Sequence, residues 1–321
     1  METIATWWMW TGFAVFVIVA IAVDLLVMKK QGAHKVTAKE AVGWSLLWFS
    51  LAFVFVALLW WYLNANQGRS VANEVSMQFI TGYLVEKSLS VDNIFVFLMI
   101  FSYFALPAEF QKRALIIGII GAIVLRAILI LMGAWLLAHF HWLLYVFGAF
   151  LLFTGVKMWL VAGKAPDVAQ NPVLRLLRKH MKITTQFDGE KLSTMIDGVK
   201  HYTPVFVVLV LIGTTDVIFA VDSIPAIFAI TEDPFIVLTA NIFAILGLRA
   251  LYFLLADLAD RFHLLAYGLA LVLIFIGIKM LLIDVYKIDI GIALGVTAGI
   301  IATSMIASLY TTRSKNNVEE N

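Results

Sequence analysis

Two short stretches put carboxylates where a hydrocarbon environment makes them costly. Glu86-Lys87-Ser88-Leu89-Ser90-Val91-Asp92-Asn93 and Asp216-Val217-Ile218-Phe219-Ala220-Val221-Asp222-Ser223-Ile224-Pro225 each set one acid six residues ahead of a second, which a small polar residue follows. Both stretches lie in runs otherwise apolar enough to cross a membrane, and intramembrane carboxylates mark ion or proton paths more often than packing. Carboxylate, hydroxyl, amide and carbonyl oxygens are hard donors, which suit magnesium, calcium or manganese. The chain has no cysteine, and its six histidines (His34, His139, His141, His180, His201, His263) fall in connections or at span ends, so zinc and copper are disfavoured.

Helix geometry limits how these acids act. Residues six apart on a straight helix diverge by roughly 240° and roughly 9 Å, so the two acids of one pair cannot face one small ion. Either the helix breaks, or the first acid of each pair binds an arginine and only the second faces the ion. Pro225 offers a break, because its ring frees the carbonyl of Val221 beside Asp222, and broken helices are tolerated at membrane depth where they line a cavity. Arg126, Arg249 and Lys87 are the charge-balancing candidates. Four acids against two arginines leave a formal −2, which suits a divalent cation or two protons exchanged for it. The competing reading makes these charges structural ion pairs that lock the halves together.

The elements that must position them are read from composition. With 62% hydrophobic residues, 14% charged residues and a mean hydropathy of +0.96, the 321-residue chain falls outside the soluble range. We expect an all-α polytopic membrane protein with about nine transmembrane helices: 7–28, 41–63, 77–104, 114–138, 141–162, 203–230, 235–256, 262–285 and 289–310. The start carries Glu2 and no basic residue, so it reads as a retained span and not a signal peptide. Of the 23 Lys and Arg, sixteen fall in connections on one side, only Arg69 and Lys287 on the other, and Lys87, Arg126, Lys157, Arg249 and Lys279 within spans. The positive-inside rule then puts the N-terminus outside and the C-terminus in the cytoplasm.

An internal repeat organises the spans. Glu86/Asp92 and Asp216/Asp222 share their spacing; Leu125-Arg126-Ala127 is echoed by Leu248-Arg249-Ala250, and Gly155-Val156-Lys157-Met158 by Gly277-Ile278-Lys279-Met280. The expected organisation is two N-terminal helices (1–76), a first three-helix repeat (77–162), a cytoplasmic loop (163–202), a second repeat (203–285), and a last helix with a cytoplasmic tail (286–321). The topology makes the repeats inverted, as in secondary transporters whose site lies between the halves. The loop begins with Pro166, continues as a short basic amphipathic helix suited to anionic lipid, then as a hairpin turning at Asp188-Gly189 and Asp197-Gly198. The tail after Thr312 is expected to be disordered.

These segments, with Ile94-Phe95-Val96-Phe97, Gly247-Leu248-Arg249-Ala250 and Phe275-Ile276-Gly277-Ile278-Lys279-Met280, resemble the signature segments of the TerC family of bacterial membrane proteins, and of its Alx-type branch, over most of the chain. The resemblance implies an inner-membrane protein that exports manganese(II), with links to alkaline-pH or tellurite resistance and to metal supply for secreted enzymes. Carried over by position, Glu86, Asp92, Asn93, Asp216, Asp222 and Ser223 match the acidic motif residues implicated in transport. One departure stands out: the family commonly has glutamate three residues before Asp216, where this chain has Gly213.

The expected function is a proton-coupled secondary transporter exporting manganese(II) as its substrate, with no permanently bound cofactor. Its partners are the divalent ion, protons and the bilayer, without nucleic acid. The alternatives are a cation/proton exchanger for alkaline-pH homeostasis, or a membrane scaffold aiding metal loading of exported proteins. No phosphate loop or nucleophile-base pattern appears, so no enzyme is expected.

Overall fold

The computed structural model describes residues 3–31, 38–162, 168–189, 191–256, 264–286 and 288–319. Eleven helices run in order among them: α1 (Trp7–Gln31), α2 (Ala38–Asn66), α3 (Arg69–Tyr103), α4 (Ala108–His139), α5 (Leu143–Val161), α6 (Pro172–His180), α7 (Pro204–Phe228), α8 (Pro234–Leu246), α9 (Leu248–Ala256), α10 (Leu265–Leu281) and α11 (Ile290–Glu319). The side chain of Asp92, the residues Lys35, Lys164, Pro166, Arg261 and Lys287, and His34 and His263 lie outside the described residues.

Six of these helices, α1, α2, α4, α5, α7 and α11, are long and apolar enough to span a bilayer, and α8 with α9 makes a seventh if the bent pair is one span. The other two expected spans fall short for different reasons. The stretch 77–104 falls, but for its last residue, inside the 35-residue α3, where Glu86, Lys87 and Asp92 crowd three charges into seven residues. The stretch 262–285 contributes only the 17 residues of α10.

Glycine decides how closely two of the helices approach. Gly148 of α5 lies against Gly277 of α10, and Gly155 against Ala270, so the pair runs antiparallel with backbones nearly touching. A Cβ on Gly277 would stand 2.7 Å from the Leu152 amide nitrogen, and one on Gly155 2.9 Å from the Ala270 carbonyl oxygen. Small residues drive such contacts in lipid, where burial by itself favours no helix pair. Two other contacts are parallel: α3 beside α8, with Gly82 against Ala240 and Lys87 against Gly247, and α4 beside α7, with Gly118 against Ile212 and Gly133 against Phe228.

The expected helix break is displaced. α7 continues through Pro225 to Phe228, so the proline sits in the final turn and Asp222 stays on a regular helix. Pro225 still leaves the Val221 carbonyl without an amide partner from residue 225, but only three residues of helix follow the proline. The bend falls instead at Gly247, where α8 and α9 meet at 41°. A Cβ there would lie 2.6 Å from the Lys87 ammonium nitrogen and 3.2 Å from Trp48 Cβ. Lys87 enters the gap, donating to the Ala244 carbonyl at 3.1 Å and standing 5.3 Å from the Phe49 ring centre. It thereby satisfies one of the carbonyls that the end of α8 orphans.

Caps and turns follow the local sequence. Asp233 accepts from the Phe235 and Ile236 amides to start α8, and its carboxylate also takes the Thr3 hydroxyl and the Ile4 amide, which pins the head of the chain. Asn171 caps α6, and Pro172 occupies its first turn. The hairpin forms as expected: β1 (Ser193–Ile196) pairs antiparallel with β2 (Val199–Tyr202), with Ile196 opposite Val199 across Asp197-Gly198. Both turn residues have positive φ, 50° and 72°, as a two-residue turn of this kind demands. The polar tail departs from expectation, because no glycine or proline follows Thr312 and α11 carries on to Glu319.

Gly277→Ala is expected to cost about 1–3 kcal/mol through overpacking and to lower the melting temperature in detergent. Gly121→Ala, where nothing lies within 4 Å of the new Cβ, should leave it unchanged.

Candidate functional site

Four helices converge on one guanidinium. Arg126 of α4 is 1% exposed and pairs with Glu86 of α3, which is fully buried. Its second arm reaches Asp216 Oδ1 of α7 at 3.2 Å. The first nitrogen also donates to Ser223 Oγ at 3.2 Å and to Asn241 Oδ1 of α8 at 3.0 Å. Asn241 closes the ring by donating its amide to Glu86 Oε2 at 3.2 Å. Arg126 thus holds the first acid of both motifs, the second of the two geometries that six-residue spacing allows.

The network is nearly complete but not fully so. Arg126 Nε and Asp216 Oδ2 are buried without a hydrogen-bond partner among the described residues. One guanidinium against two carboxylates leaves one formal negative charge in a water-poor interior. Breaking such a group by removing the cation strands both acids.

The remaining site residues divide between other environments. Asp222, six residues beyond Asp216, turns away from Arg126 towards α5, where Thr154 hydrogen-bonds it and Lys157 attracts it. Asn93 is buried at 3% exposure, one residue past Asp92 on α3. Gly213 lies on an exposed stripe of α7 with Val217 and Val221, whereas Asp216 points inward. Three residues of separation offset two side chains by roughly 60°, which suffices to place these on opposite sides of the packing boundary. A Cβ at Gly213 meets nothing within 4 Å.

Two expectations need correction. Among the described residues Arg249 pairs not with a motif acid but with Asp24 of α1, an acid outside both motifs. Arg249 follows the bend at Gly247, and this pairing ties the segment after the bend to α1. Lys87 meets a carbonyl and an aromatic ring, not a carboxylate, among the described residues. Nor do those residues bring three His, Cys, Asp or Glu together as a ligand group. Asn241 was also missed; its signal was an amide inside the apolar run Ile236–Leu246, where an unneeded polar group is costly.

Arg126→Gln should destabilise the protein by about 3–5 kcal/mol by stranding two buried acids. Adding Glu86→Gln and Asp216→Asn should restore most of the lost melting temperature. A triple variant no more stable than Arg126→Gln would show that the pairing contributes little.

Comparison with known proteins agrees with this architecture. The family described as "Integral membrane protein TerC family" matches residues 71–316, the region that contains every residue of the arginine network. Alx of Escherichia coli (strain K12), provisionally named a membrane-bound redox modulator, is 53% identical over 310 residues, covering 97% of each chain. The same-named protein of Photorhabdus laumondii is 49% identical over 98% of each chain, and an uncharacterized membrane protein of Rickettsia felis is 39% identical over 94% of this chain and 97% of its own. No solved structure matches. The chain is a multi-pass integral membrane protein and belongs to the TerC family, within its Alx-type branch.

Proposed function

We propose that this protein is a secondary transporter that exports manganese(II) from the cytoplasm in exchange for protons, by alternating access between two inverted three-helix repeats. The observation that carries the reading is Arg126 bridging Glu86 and Asp216, one acid from each half, in a buried polar group at the interface of α3, α4, α7 and α8.

The pattern of helix contacts supports inversion. Exchange α3 with α7, α4 with α8–α9, and α5 with α10, and the contacts map onto one another: α3 with α8 becomes α7 with α4, and α5 with α7 becomes α10 with α3. Equivalent third helices α5 and α10 run antiparallel, whereas α3 and α8 run parallel, as do α4 and α7. Two repeats of the same orientation would make α5 and α10 parallel. Inversion gives the observed directions when α3 and α10 complete nine spans, with 77–162 and 203–285 as the repeats, 1–76 and 286–321 flanking them and 163–202 between. In a bacterial inner membrane the N-terminus is then periplasmic and the C-terminus cytoplasmic.

This reading divides labour among the acids. Glu86 and Asp216 stay near Arg126, which offsets one of their two negative charges when no ion is bound; Asp92, Asn93, Asp222 and Ser223 supply further oxygen donors. The unpartnered Asp216 Oδ2 is an acceptor that a cation or proton can take. Hard oxygen donors suit manganese, and a carboxylate that loses its metal in hydrocarbon needs a proton or a guanidinium in its place. The relatives' redox name fits the same activity: a chain without cysteine has no thiol to exchange electrons, whereas a change in cellular manganese alters redox balance indirectly.

A scaffold reading has its own support, since an arginine holding two acids also locks two halves together. Cellular manganese in manganese-stressed cells separates the readings. The parent chain should lower it several-fold, Asp222→Asn should not, and collapse of the proton gradient should abolish the effect. Gly213→Glu meets no steric barrier at its Cβ, but it sets a carboxylate on the outward stripe of α7, away from Asp216, and should not raise export above the parent. A parent that lowers manganese no better than Asp222→Asn overturns the transporter reading.

A further inference from the structure

α6 and the segment that follows it close a cavity of about 500 Å³ against the end of α3 and the start of α7. Tyr103 and Phe104 line it from α3, Arg178 from α6, Thr184 and Thr185 from the strand-like segment beyond, and Pro204 from the start of α7. We infer that this cavity holds the phosphate of an anionic lipid headgroup, bound by Arg178 with the hydroxyls of Tyr103, Thr184 and Thr185.

Charge, depth and exposed apolar residues favour that ligand. Between 168 and 203 the described residues include six Lys and Arg against Asp188 and Asp197. Lys191 pairs with Asp188 at 3.1 Å, so the surplus concentrates on Arg175, Arg178 and Lys179, which share one side of α6. The Arg178 guanidinium stands 3.4 Å from the Tyr103 hydroxyl, and a planar fork of donors is the usual partner of phosphate. Depth comes from α7, whose membrane-spanning stretch begins at Pro204, a wall of this cavity, so the site opens at headgroup level. Leu176 of α6 and Met195 of β1 are 57% and 65% exposed. Apolar side chains interspersed with cations at the membrane boundary are the pattern of a segment seated in the interface. A site for free phosphate would need the charge but not these apolar neighbours.

The full chain, reconstituted in nanodiscs of equal phosphatidylglycerol and phosphatidylcholine, is released and its retained lipid counted by native mass spectrometry. The parent should keep phosphatidylglycerol over phosphatidylcholine at least fivefold. Arg178→Gln, an exposed substitution that leaves the fold alone, should lose that preference, and Lys200→Gln on β2, outside the cavity, should keep it. Unchanged retention in Arg178→Gln overturns the assignment. So does inorganic phosphate binding, measured by titration calorimetry, that Arg178→Gln abolishes while lipid retention stays the same, since the cavity would then serve a soluble anion.

Discussion

A guanidinium buried among membrane helices has to be satisfied by protein groups, because lipid offers none. Arg126 meets that demand with partners from α3, α7 and α8, and the requirement fixes the register of all three against α4. Sliding any one of them by a turn would leave a carboxylate or amide facing hydrocarbon. The apolar contacts around the network specify far less, since leucine meets leucine about as well one turn away as in place. Register along the bundle is therefore set by polar chemistry, and closeness by the glycines that bring α5 against α10.

Two arginines with the same Leu-Arg-Ala context sit in unlike charge environments. Arg126 gathers Glu86 and Asp216, whereas Arg249 is taken by Asp24 of α1. The difference traces to a bend. α4 is continuous through the residues before Arg126, whereas the corresponding segment breaks at Gly247, where Lys87 fills the gap. A broken span frees backbone carbonyls, and a lysine with no carboxylate beside it among the described residues is placed to take one of them. The two arginines therefore join different elements: Arg126 holds α4 to α3, α7 and α8, and Arg249 ties α9 to α1.

Much was legible in the residues. Four intramembrane acids, two arginines and a lysine were conspicuous because each is expensive in an apolar run, and their spacing allowed the arrangement in which an arginine takes the first acid of each pair. The hairpin at Asp197-Gly198 was visible for a local reason, since side-chain and backbone preferences within a few residues decide it. The break was misplaced for the same kind of reason. Pro225 is a strong local signal, but its effect depends on how much helix follows, and only one turn does.

The sequence by itself determined where most of the helices lie, which positions carry unusual charge, and that acids six apart on an unbroken helix diverge, because helical periodicity is a property of one chain segment. Only the tertiary structure decided that one arginine serves both motifs, that Arg249 pairs with Asp24, that Asn241 joins the network and that Gly213 faces outward beside an inward Asp216. Periodicity sets an angle about a helix's own axis. What lies at the end of that angle depends on the helices packed around it, and those are set by contacts between segments as far apart as Glu86 and Asn241.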